Sequence, residues 1–435
     1  MSDSKIIDIK AREILDSKGI PMVEVDVLTS DGSVGRGSSP CGVSVGSHEA
    51  VVIRDGGRRY QGLGVQKALK NVTDIIWPAL RGEDVRRQQH LDRIMIELDG
   101  TPDKSKLGAN AICSISIAVA RAAAASQGIP LYRHLKDCET YSLPLPVFNM
   151  INGGAYGDRK IEFQEFLLLP AGAASYSEAL RMGAEVFYQL EKVIVKRYGR
   201  SGLQIGKGAG WAAPINEPAE ILELLLEAAR IAGYADDIKV GVDCAASHFF
   251  DRAAGRYCYQ EERLPRSALI ELLKKLAAAY PICLFEDPLN EEDFEGHAML
   301  TREGGILIAG DDLFVTNVDR LKKGVQMGAA NAIVIKPNMV GTISEALETV
   351  EYAKANGYWI IPGGRAGGSV DDPVTDLAVA AGAPLVKFGA PRAGEKINKY
   401  NRLLQIQDDL GKAVHFPDFV SLLRQGGKGY VQKGV

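Results

Sequence analysis

The chain has 435 residues, of which 46% are apolar and 24% are charged, and its formal net charge is −4. The apolar content supports a large core, while the weak net acidity excludes a bulk attraction to nucleic acid or to an anionic membrane. No purely apolar run approaches the length that crosses a bilayer, and the polar start MSDSKIIDIK is unlike a targeting peptide. The six cysteines lack CxxC spacing, so we expect reduced thiols and a cytoplasmic protein.

The chain falls into two regions with different patterning. Residues 5–55 alternate apolar and polar side chains, as in VEVDVLTSDG, which predicts a small antiparallel meander. Residues 64–135 follow a helical pattern, as in the Ala-rich GANAICSISIAVARAAAASQG. Beyond the Pro-containing SLPLPVF, strand-like and helix-like segments alternate to the end of the chain. This alternation predicts parallel strands joined by crossover helices, and SLPLPVF is the expected boundary between two domains.

A charged residue ends or closely follows six of the short apolar stretches in the second region. Spaced 22 to 43 residues apart, these residues are Asp243, Glu286, Asp311, Lys336, Arg365 and Lys387. A β/α barrel places its active-site residues at the carboxyl ends of successive strands, and the spacing is that of a strand, a helix and two loops. We therefore expect an α/β fold with acids facing lysines on one barrel rim, which suits proton removal next to a carboxylate.

The three acids Asp243, Glu286 and Asp311 are candidate ligands for a divalent cation. Mg²⁺ binds oxygen ligands and usually combines a few carboxylates with water and substrate oxygens. Because the set contains no Cys or His, it favours Mg²⁺ over Zn²⁺. Each acid alone could instead cap the helix that follows it. Three acids in phase favour a site for one or two Mg²⁺ ions.

The two lysines are candidates for a base and for a neutralising charge. Lys336 lies inside the apolar segment AIVIKPN, where burial disfavours the charged form and a lowered pKa would suit a general base. Lys387, in PLVKFGAP, could stay charged and neutralise a dianion. Alternatively, each lysine could simply pair with a neighbouring acid of the barrel.

Two further segments contain polar residues in suggestive places. Ser44 lies in the small-residue loop SSPCGVSVGSHEA, which could close over a site and bring a hydroxyl to a metal or a phosphate. Gln164 and Glu165 stand in the strand-like EFQEFLLL, where apolar residues are expected. Glu165 could orient groups in the site or could be the buried partner of a lysine.

Collinear motifs along essentially the whole chain resemble those of enolases. They include AREILDSKGIPMVEVDV, KLGANAI, FNMINGG, FQEFLLLPAGA, FEDPLNEEDF, GDDLFVTN, IVIKPNMVGT and KFGAPRAGEKINKYNRLLQI. The resemblance implies an N-terminal α+β capping domain, expected over residues 1–140, and a C-terminal (β/α)8-type barrel over residues 141–435. It also implies a homodimer or higher homo-oligomer and the Mg²⁺-dependent dehydration of 2-phosphoglycerate to phosphoenolpyruvate.

Carried over residue by residue, the resemblance gives each candidate a role. Lys336 matches the base, Arg365 the phosphate-binding arginine and Ser44 the serine of a mobile loop. The expected site then comprises catalytic Lys336, Lys387 and Glu165, substrate-binding Ser44, Tyr156, Gln164, Arg365 and Lys387, and metal-binding Asp243, Glu286 and Asp311.

Departures from the family pattern fall on one half of the expected site. The GDEGGFAP-like segment of enolases, whose Glu takes part in protonating the departing hydroxide, reads GKGAGWAAP between Gly206 and Pro214. Tyr156 replaces a family histidine in NGGAYGD, and Gly364 replaces another where SHRSGE becomes GGRAGG. The residues expected to form the ene-diolate are kept, whereas those expected to handle the leaving hydroxyl and the phosphate are changed.

This one-sided pattern leads to the hypothesis of an enolase-like enzyme whose substrate differs at the leaving-group or phosphorus end. The phosphonate substrate of carboxyphosphonoenolpyruvate synthases is an example. One alternative is a glycolytic enolase in which Tyr156, Asp158 or Lys207 replaces the missing acid. Others are a non-catalytic binding protein and a racemase or lyase that shares the ene-diolate. The expected partner is a small phosphorylated or phosphonylated carboxylic acid, and neither nucleic acid nor a membrane.

Overall fold

The computed structural model describes residues 4–42, 45–157, 161–411 and 414–424. The N-terminal region is an antiparallel meander of three strands with helices on one face. The strands are β1 (Ile6–Leu15), β2 (Pro21–Thr29) and β3 (Val34–Ser38) in that spatial order. The helices are α1 (Gln66–Asn71), α2 (Trp77–Leu80), α3 (Gln88–Asp99), α4 (Ala109–Gln127) and α5 (Leu131–Leu135). The predicted meander and the helical stretch that follows it are thus both present.

The meander packs directly against α4 because two glycines in β3 have no side chain. A Cβ at Gly35 would lie 2.0 Å from the Ala118 carbonyl oxygen, and one at Gly37 would lie 2.2 Å from that of Ser114. By length and composition α4 is apolar enough to cross a membrane, although polar residues interrupt its apolar stretches. Since 83% of its most apolar window is buried inside the fold, α4 is instead the central helix of this core.

Eight strands form the second region, and their order closes into a barrel. In spatial order they are β14 (Trp359–Pro362), β13 (Ala332–Ile335), β12 (Leu307–Gly310), β11 (Ile282–Glu286), β7 (Lys239–Asp243), β6 (Glu165–Leu169), β5 (Leu145–Asn152) and β15 (Leu385–Gly389). A parallel bridge between Gly363 and Lys387 joins the two ends of this sheet. The expected fold class, a capping region followed by a barrel, is confirmed.

Helices surround the barrel and connect its strands. They are α6 (Tyr176–Tyr198), α7 (Pro218–Ala232), α8 (Arg266–Ala279), α9 (Phe294–Glu303), α10 (Val318–Met327), α11 (Pro337–Val340), α12 (Ile343–Ala355), α13 (Val374–Ala381), α14 (Gly394–Leu410) and α15 (Phe419–Arg424). Smaller strands complete the fold: β8 (Phe250–Asp251), β9 (Arg256–Tyr259) and β10 (Glu262–Leu264) form one sheet, and β4 (Tyr141–Ser142) pairs with β16 (Val414–His415).

The barrel differs from the expected all-parallel pattern at one strand. β6 runs antiparallel to both of its neighbours, β5 and β7. The physical reason is the connection between β5 and β6, which holds a single short turn, Gly154–Tyr156, among its described residues and no crossover helix. Two strands joined in this way form a hairpin and must be antiparallel. As a result, the first residue of β6, Glu165, pairs with the last residue of β7, Asp243.

A glycine in α6 permits close packing of this helix on the barrel and provides a stability test. A Cβ at Gly183 would lie 2.1 Å from Cε2 of the buried Phe148 ring. We expect Gly183→Ala to lower the free energy of unfolding by about 1–3 kcal/mol because the core is overpacked. Gly394→Ala is the control, since its Cβ would meet nothing within 4 Å. Chemical denaturation measures both variants, and equal stabilities would contradict this account of the packing.

Candidate active site

The predicted acids and lysines meet on one rim of the barrel. Asp243 and Glu286 are the last residues of β7 and β11, and Asp311 and Lys336 directly follow β12 and β13. Together with Lys387 of β15 they line one pocket. The other lining residues are Tyr156, Gln164, Glu165, Gly208, Gly364, Arg365, Ala366, Phe388, Gly389 and Lys396. The structure therefore brings nine of the ten predicted site residues to one place; the tenth, Ser44, lies outside the described residues.

Lys387 is the centre of a buried cluster of charges. Its Nζ lies 2.6 Å from Glu165 Oε2, 2.9 Å from Asp243 Oδ2 and 2.7 Å from Glu286 Oε2. Burial alone would lower the pKa of Lys387, but the carboxylates of Asp243 and Glu165 outweigh it and hold the pKa well above its ordinary value. Lys387 is thus a permanent ammonium that is shared by three acids from three strands.

One ammonium does not neutralise three buried carboxylates. Burial, together with the nearby charge of Asp243, raises the pKa of Glu286 to about 8 against the opposing charge of Lys387. Burial likewise raises the pKa of Glu165. Because two uncompensated negative charges are costly in a buried site, the cluster retains a proton close to neutral pH. A cation that enters the cluster must displace this proton.

Lys336 and Asp311 form a second buried ion pair. The Lys336 ammonium donates a hydrogen bond to Asp311 Oδ2. Burial alone would lower the pKa of Lys336, but the charge of Asp311 outweighs it and the pKa lies above its ordinary value. Lys336 is therefore protonated as long as Asp311 is its partner, and a base at this position requires that the carboxylate be engaged elsewhere.

The residues present fit a divalent cation. The second oxygen of Asp311, Oδ1, is buried without a hydrogen-bond partner, and so is Oε1 of Gln164. Buried oxygens of this kind are costly unless a donor or a cation binds them. None of Asp243, Glu286 or Asp311 is the N-cap of the helical segment that follows its strand, because Ala245, Asp293 and Asn317 hold those positions. The capping alternative for the three acids is therefore wrong.

A second group of acids that could bind a metal ion also contains Asp311. Carboxylate oxygens of Asp287, Asp311 and Asp312 lie within 4.8 Å of one another and could hold a metal ion. Both oxygens of Asp287, however, already accept backbone N–H groups of residues 311, 312 and 313, at 3.0, 2.7 and 3.3 Å. We assign Asp287 to fixing this loop and therefore retain Asp243 and Glu286 as the candidate partners of Asp311.

Arg365 connects the barrel to the C-terminal part of the predicted small-residue loop. Its guanidinium makes a two-pronged pair with Glu49, at 2.8 and 3.0 Å, and both side chains are buried. The neighbouring Ser47 donates its backbone N–H to Glu291 at 3.0 Å. Although Ser44 itself cannot be placed, residues 46–49 are thus anchored on the pocket side of the barrel.

The altered segment between Gly206 and Pro214 has no room for an acid at Gly208. A Cβ there would lie 2.3 Å from Asn149 Nδ2 and 2.8 Å from Glu165 Oε1. Lys207, one of the suggested substitutes, is exposed and donates to the Ala155 carbonyl, and it is not among the pocket residues. Of the other two suggestions, Tyr156 lines the pocket and Asp158 lies outside the described residues.

Sequence reasoning missed three residues of the site. Glu49 pairs with Arg365, Asn149 donates to Glu165 Oε1 at 2.5 Å, and Lys396 lines the pocket. Glu49 and Lys396 lie in ordinary polar stretches, so no apolar flank marked them as buried. Asn149 stands inside the apolar strand LPVFNMIN, and the pattern that singled out Gln164 and Glu165 could have found it.

Two family models match consecutive parts of the chain. Residues 6–135 match the family model described as the enolase N-terminal domain, and residues 140–421 match that of the enolase C-terminal TIM barrel domain. The domain division at residue 140 stays a prediction.

Curated relatives resemble the chain over nearly its full length. The enolases of Methanococcus aeolicus and Methanocaldococcus jannaschii are each 47% identical over 407 residues, covering 93% and 94% of this chain and 96% of each relative. The enolase of Pyrococcus furiosus is 46% identical over 416 residues, covering 94% of this chain and 96% of the relative. Enolases use Mg²⁺, so the cofactor expected from the sequence is supported together with the acidic cluster at Asp311.

The buried acids lead to a prediction about metal binding. Because the pKa of Glu286 is raised to about 8, its proton must leave when Mg²⁺ binds, and affinity should rise with pH. Below that pKa we expect the Kd for Mg²⁺ to fall by about tenfold per pH unit for one displaced proton. Calorimetry in buffers of different ionisation enthalpy measures the affinity and the proton release.

Two variants make this measurement specific. Asp311→Asn should abolish Mg²⁺ binding, whereas Asp319→Asn should not, since the Asp319 side chain is 81% exposed on α10. Mg²⁺ binding that is independent of pH and of Asp311 would contradict the assignment.

Proposed function

Because this chain belongs to the enolase family, we propose that it is a hydro-lyase that removes water from 2-phosphoglycerate to give phosphoenolpyruvate. The observation that carries the proposal is the pairing of two buried lysines with buried acids in one pocket: Lys336 with Asp311, and Lys387 with Asp243 and Glu286. These groups can hold a carboxylate, remove the proton next to it and stabilise the charge that results.

The two lysines have different roles in this reaction. Lys336 removes the proton from C2 of the substrate, and Lys387 remains an ammonium that neutralises the substrate carboxylate as negative charge builds up on it. Mg²⁺ held by Asp243, Glu286 and Asp311 would supply further positive charge at this carboxylate. With Asp311 engaged as a ligand, the Lys336 ammonium would lose its carboxylate partner, and burial would then lower its pKa toward that of a base.

The remaining predicted residues surround the substrate. Glu165 accepts from Asn149 and from Lys387, so it orients Lys387 toward the substrate. Gln164 presents a buried oxygen without a partner, and Tyr156 adds a ring to the wall of the pocket. Arg365 binds the phosphate in competition with Glu49, and a contact of Ser44 with the substrate stays a prediction. Assembly into a homodimer stays a prediction that sedimentation analysis can test.

The phosphonate hypothesis has less support than dehydration of 2-phosphoglycerate. Its motive was the loss of polar groups on the leaving-group side, and this difference in sequence remains. The relatives named above, however, carry the name enolase over 96% of their own length. A non-catalytic role is disfavoured because three buried acids around Lys387 are costly to keep. Both rivals are outcomes of the experiment that follows.

Proton NMR with Mg²⁺ and 2-phosphoglycerate in D₂O tests the proposed function. We expect loss of the C2 proton signal and formation of phosphoenolpyruvate. Lys336→Met should slow both processes by about 10²–10⁴-fold because the base is lost. Lys322→Met is the matched control, since Lys322 lies on the surface of α10 and pairs only with Asp319.

Other results of this experiment would favour a different function. Exchange at C2 without elimination would indicate an enzyme with a different leaving group, and phosphonate analogues would then be offered. Neither exchange nor elimination with either class of substrate would contradict an enzymatic role. Equal losses in Lys336→Met and Lys322→Met would remove Lys336 from the mechanism.

A further inference from the structure

A third lysine, which the proposed mechanism does not yet use, lines the same pocket. Lys396 lies in the first turn of α14, and only 2% of its surface is exposed. Its Nζ donates to the Arg365 carbonyl oxygen at 2.7 Å and lies 3.5 Å from that of Ala366. Lys396 is one of the lining residues of the pocket, so its ammonium, which is held by backbone carbonyls, places a positive charge at the pocket wall.

The charge of Lys396 is less neutralised than that of the other described cations in this pocket. Lys387 has three carboxylates within 2.9 Å, Lys336 pairs with Asp311, and Arg365 pairs with Glu49 at 2.8 Å. The nearest carboxylate oxygen recorded for Lys396 belongs to Glu395, at 3.9 Å. Its ammonium is therefore the most available donor to a polar group of a bound ligand.

Lys396 also lies beside the segment that has no acid. Its aliphatic stem packs on Gly389, where a Cβ would lie 2.9 Å from Lys396 Cδ and 3.4 Å from the Gly208 carbonyl oxygen. Gly208 in turn contacts Glu165 and Tyr156. Lys396 therefore borders the altered segment between Gly206 and Pro214, although Lys396 itself belongs to α14.

We propose that Lys396 is the general acid that protonates the departing hydroxyl group, an inference that rests on the proposed dehydration. Lys336 takes the proton from C2, and the electron pair of that bond moves first into the carboxylate and then forms the C2–C3 double bond. As the C3–O bond breaks, the hydroxyl takes a proton from the Lys396 ammonium and leaves as water. Lys396 becomes a neutral amine and is reprotonated by solvent, while Lys336 releases its proton to solvent.

The surroundings of Lys396 suit this task. Burial, together with the neighbouring charge of Lys399, lowers the pKa of Lys396 to about 8. An acid whose pKa lies near the working pH is the most effective. The other charged groups that act on it are Lys18 in the turn after β1, Glu165 on β6 and Glu395 on its own helix.

Glu165 is the obvious rival, but both of its oxygens are engaged. Oε1 accepts from Asn149 at 2.5 Å, and Oε2 lies 2.6 Å from the Lys387 ammonium. A carboxyl held in this way can orient Lys387 but has no oxygen left to present to a leaving hydroxyl. Lys396 keeps a donor to spare after its two backbone contacts, since an ammonium has three.

The test separates proton removal from elimination. In Lys396→Arg the positive charge stays, but the guanidinium does not release a proton at any relevant pH. We expect the rate of phosphoenolpyruvate formation to fall by about 10²–10⁴-fold, while exchange of the C2 proton in D₂O is retained. In the wild-type enzyme the ratio of elimination to exchange should fall as the pH rises through about 8, where Lys396 deprotonates.

Lys399→Arg is the matched control, because Lys399 lies one turn further along α14, is equally buried, pairs with Asp372 and is not a pocket residue. It should keep both processes. Elimination that is unchanged in Lys396→Arg, or that falls only in parallel with exchange, would overturn the inference. A raised KM at unchanged kcat in Lys396→Arg would also overturn the inference, because it would assign Lys396 to substrate binding. A wild-type enzyme without exchange or elimination would instead overturn the proposed function, and this inference with it.

Discussion

The ion cluster around Lys387 is the constraint on which the rest of the site depends. Three carboxylates from β6, β7 and β11 meet one ammonium from β15 within 2.9 Å, so the last strand of the barrel is tied by charge to three other strands. Isolated buried charges are costly, and each member of the cluster is stable only because the others are present. The surplus of negative charge makes the rim a binding place for a further cation.

The rim of the barrel has two halves that differ in their charges. On the acid side every described lysine is held by carboxylates, which suits the stabilisation of a charged intermediate. On the side bordered by Gly208, Gly364 and Gly389 the described wall is built largely from backbone and small residues, and Lys396 provides its charge. Charge placed in advance of the reaction needs no rearrangement when the transition state forms. The acid side therefore suits formation of the anionic intermediate, and the side of Lys396 suits release of the leaving group.

Much of this site could be predicted from the sequence because strand periodicity fixes where a charged residue emerges. Asp243, Glu286 and Lys387 follow directly from apolar stretches that end or break at a charge. Lys396 and Glu49 could not be found in this way, since Lys396 reaches the pocket from a helix and Glu49 pairs with Arg365 from a loop, and neither follows an apolar strand. The direction of β6 could not be predicted either, because a short strand such as EFLLL has the same pattern whether it is parallel or antiparallel.

The antiparallel β6 has a consequence for how the barrel assembles. The hairpin of β5 and β6 joins residues that are close in sequence, such as Asn152 and Glu165, so it can form with little loss of chain entropy. Barrel closure pairs Leu385 with Leu145, which are separated by 240 positions in the chain. Contacts of such separation form slowly. The acids of β6, β7 and β11 can thus be aligned before Lys387 arrives, and the arrival of this lysine completes both the sheet and the charge balance.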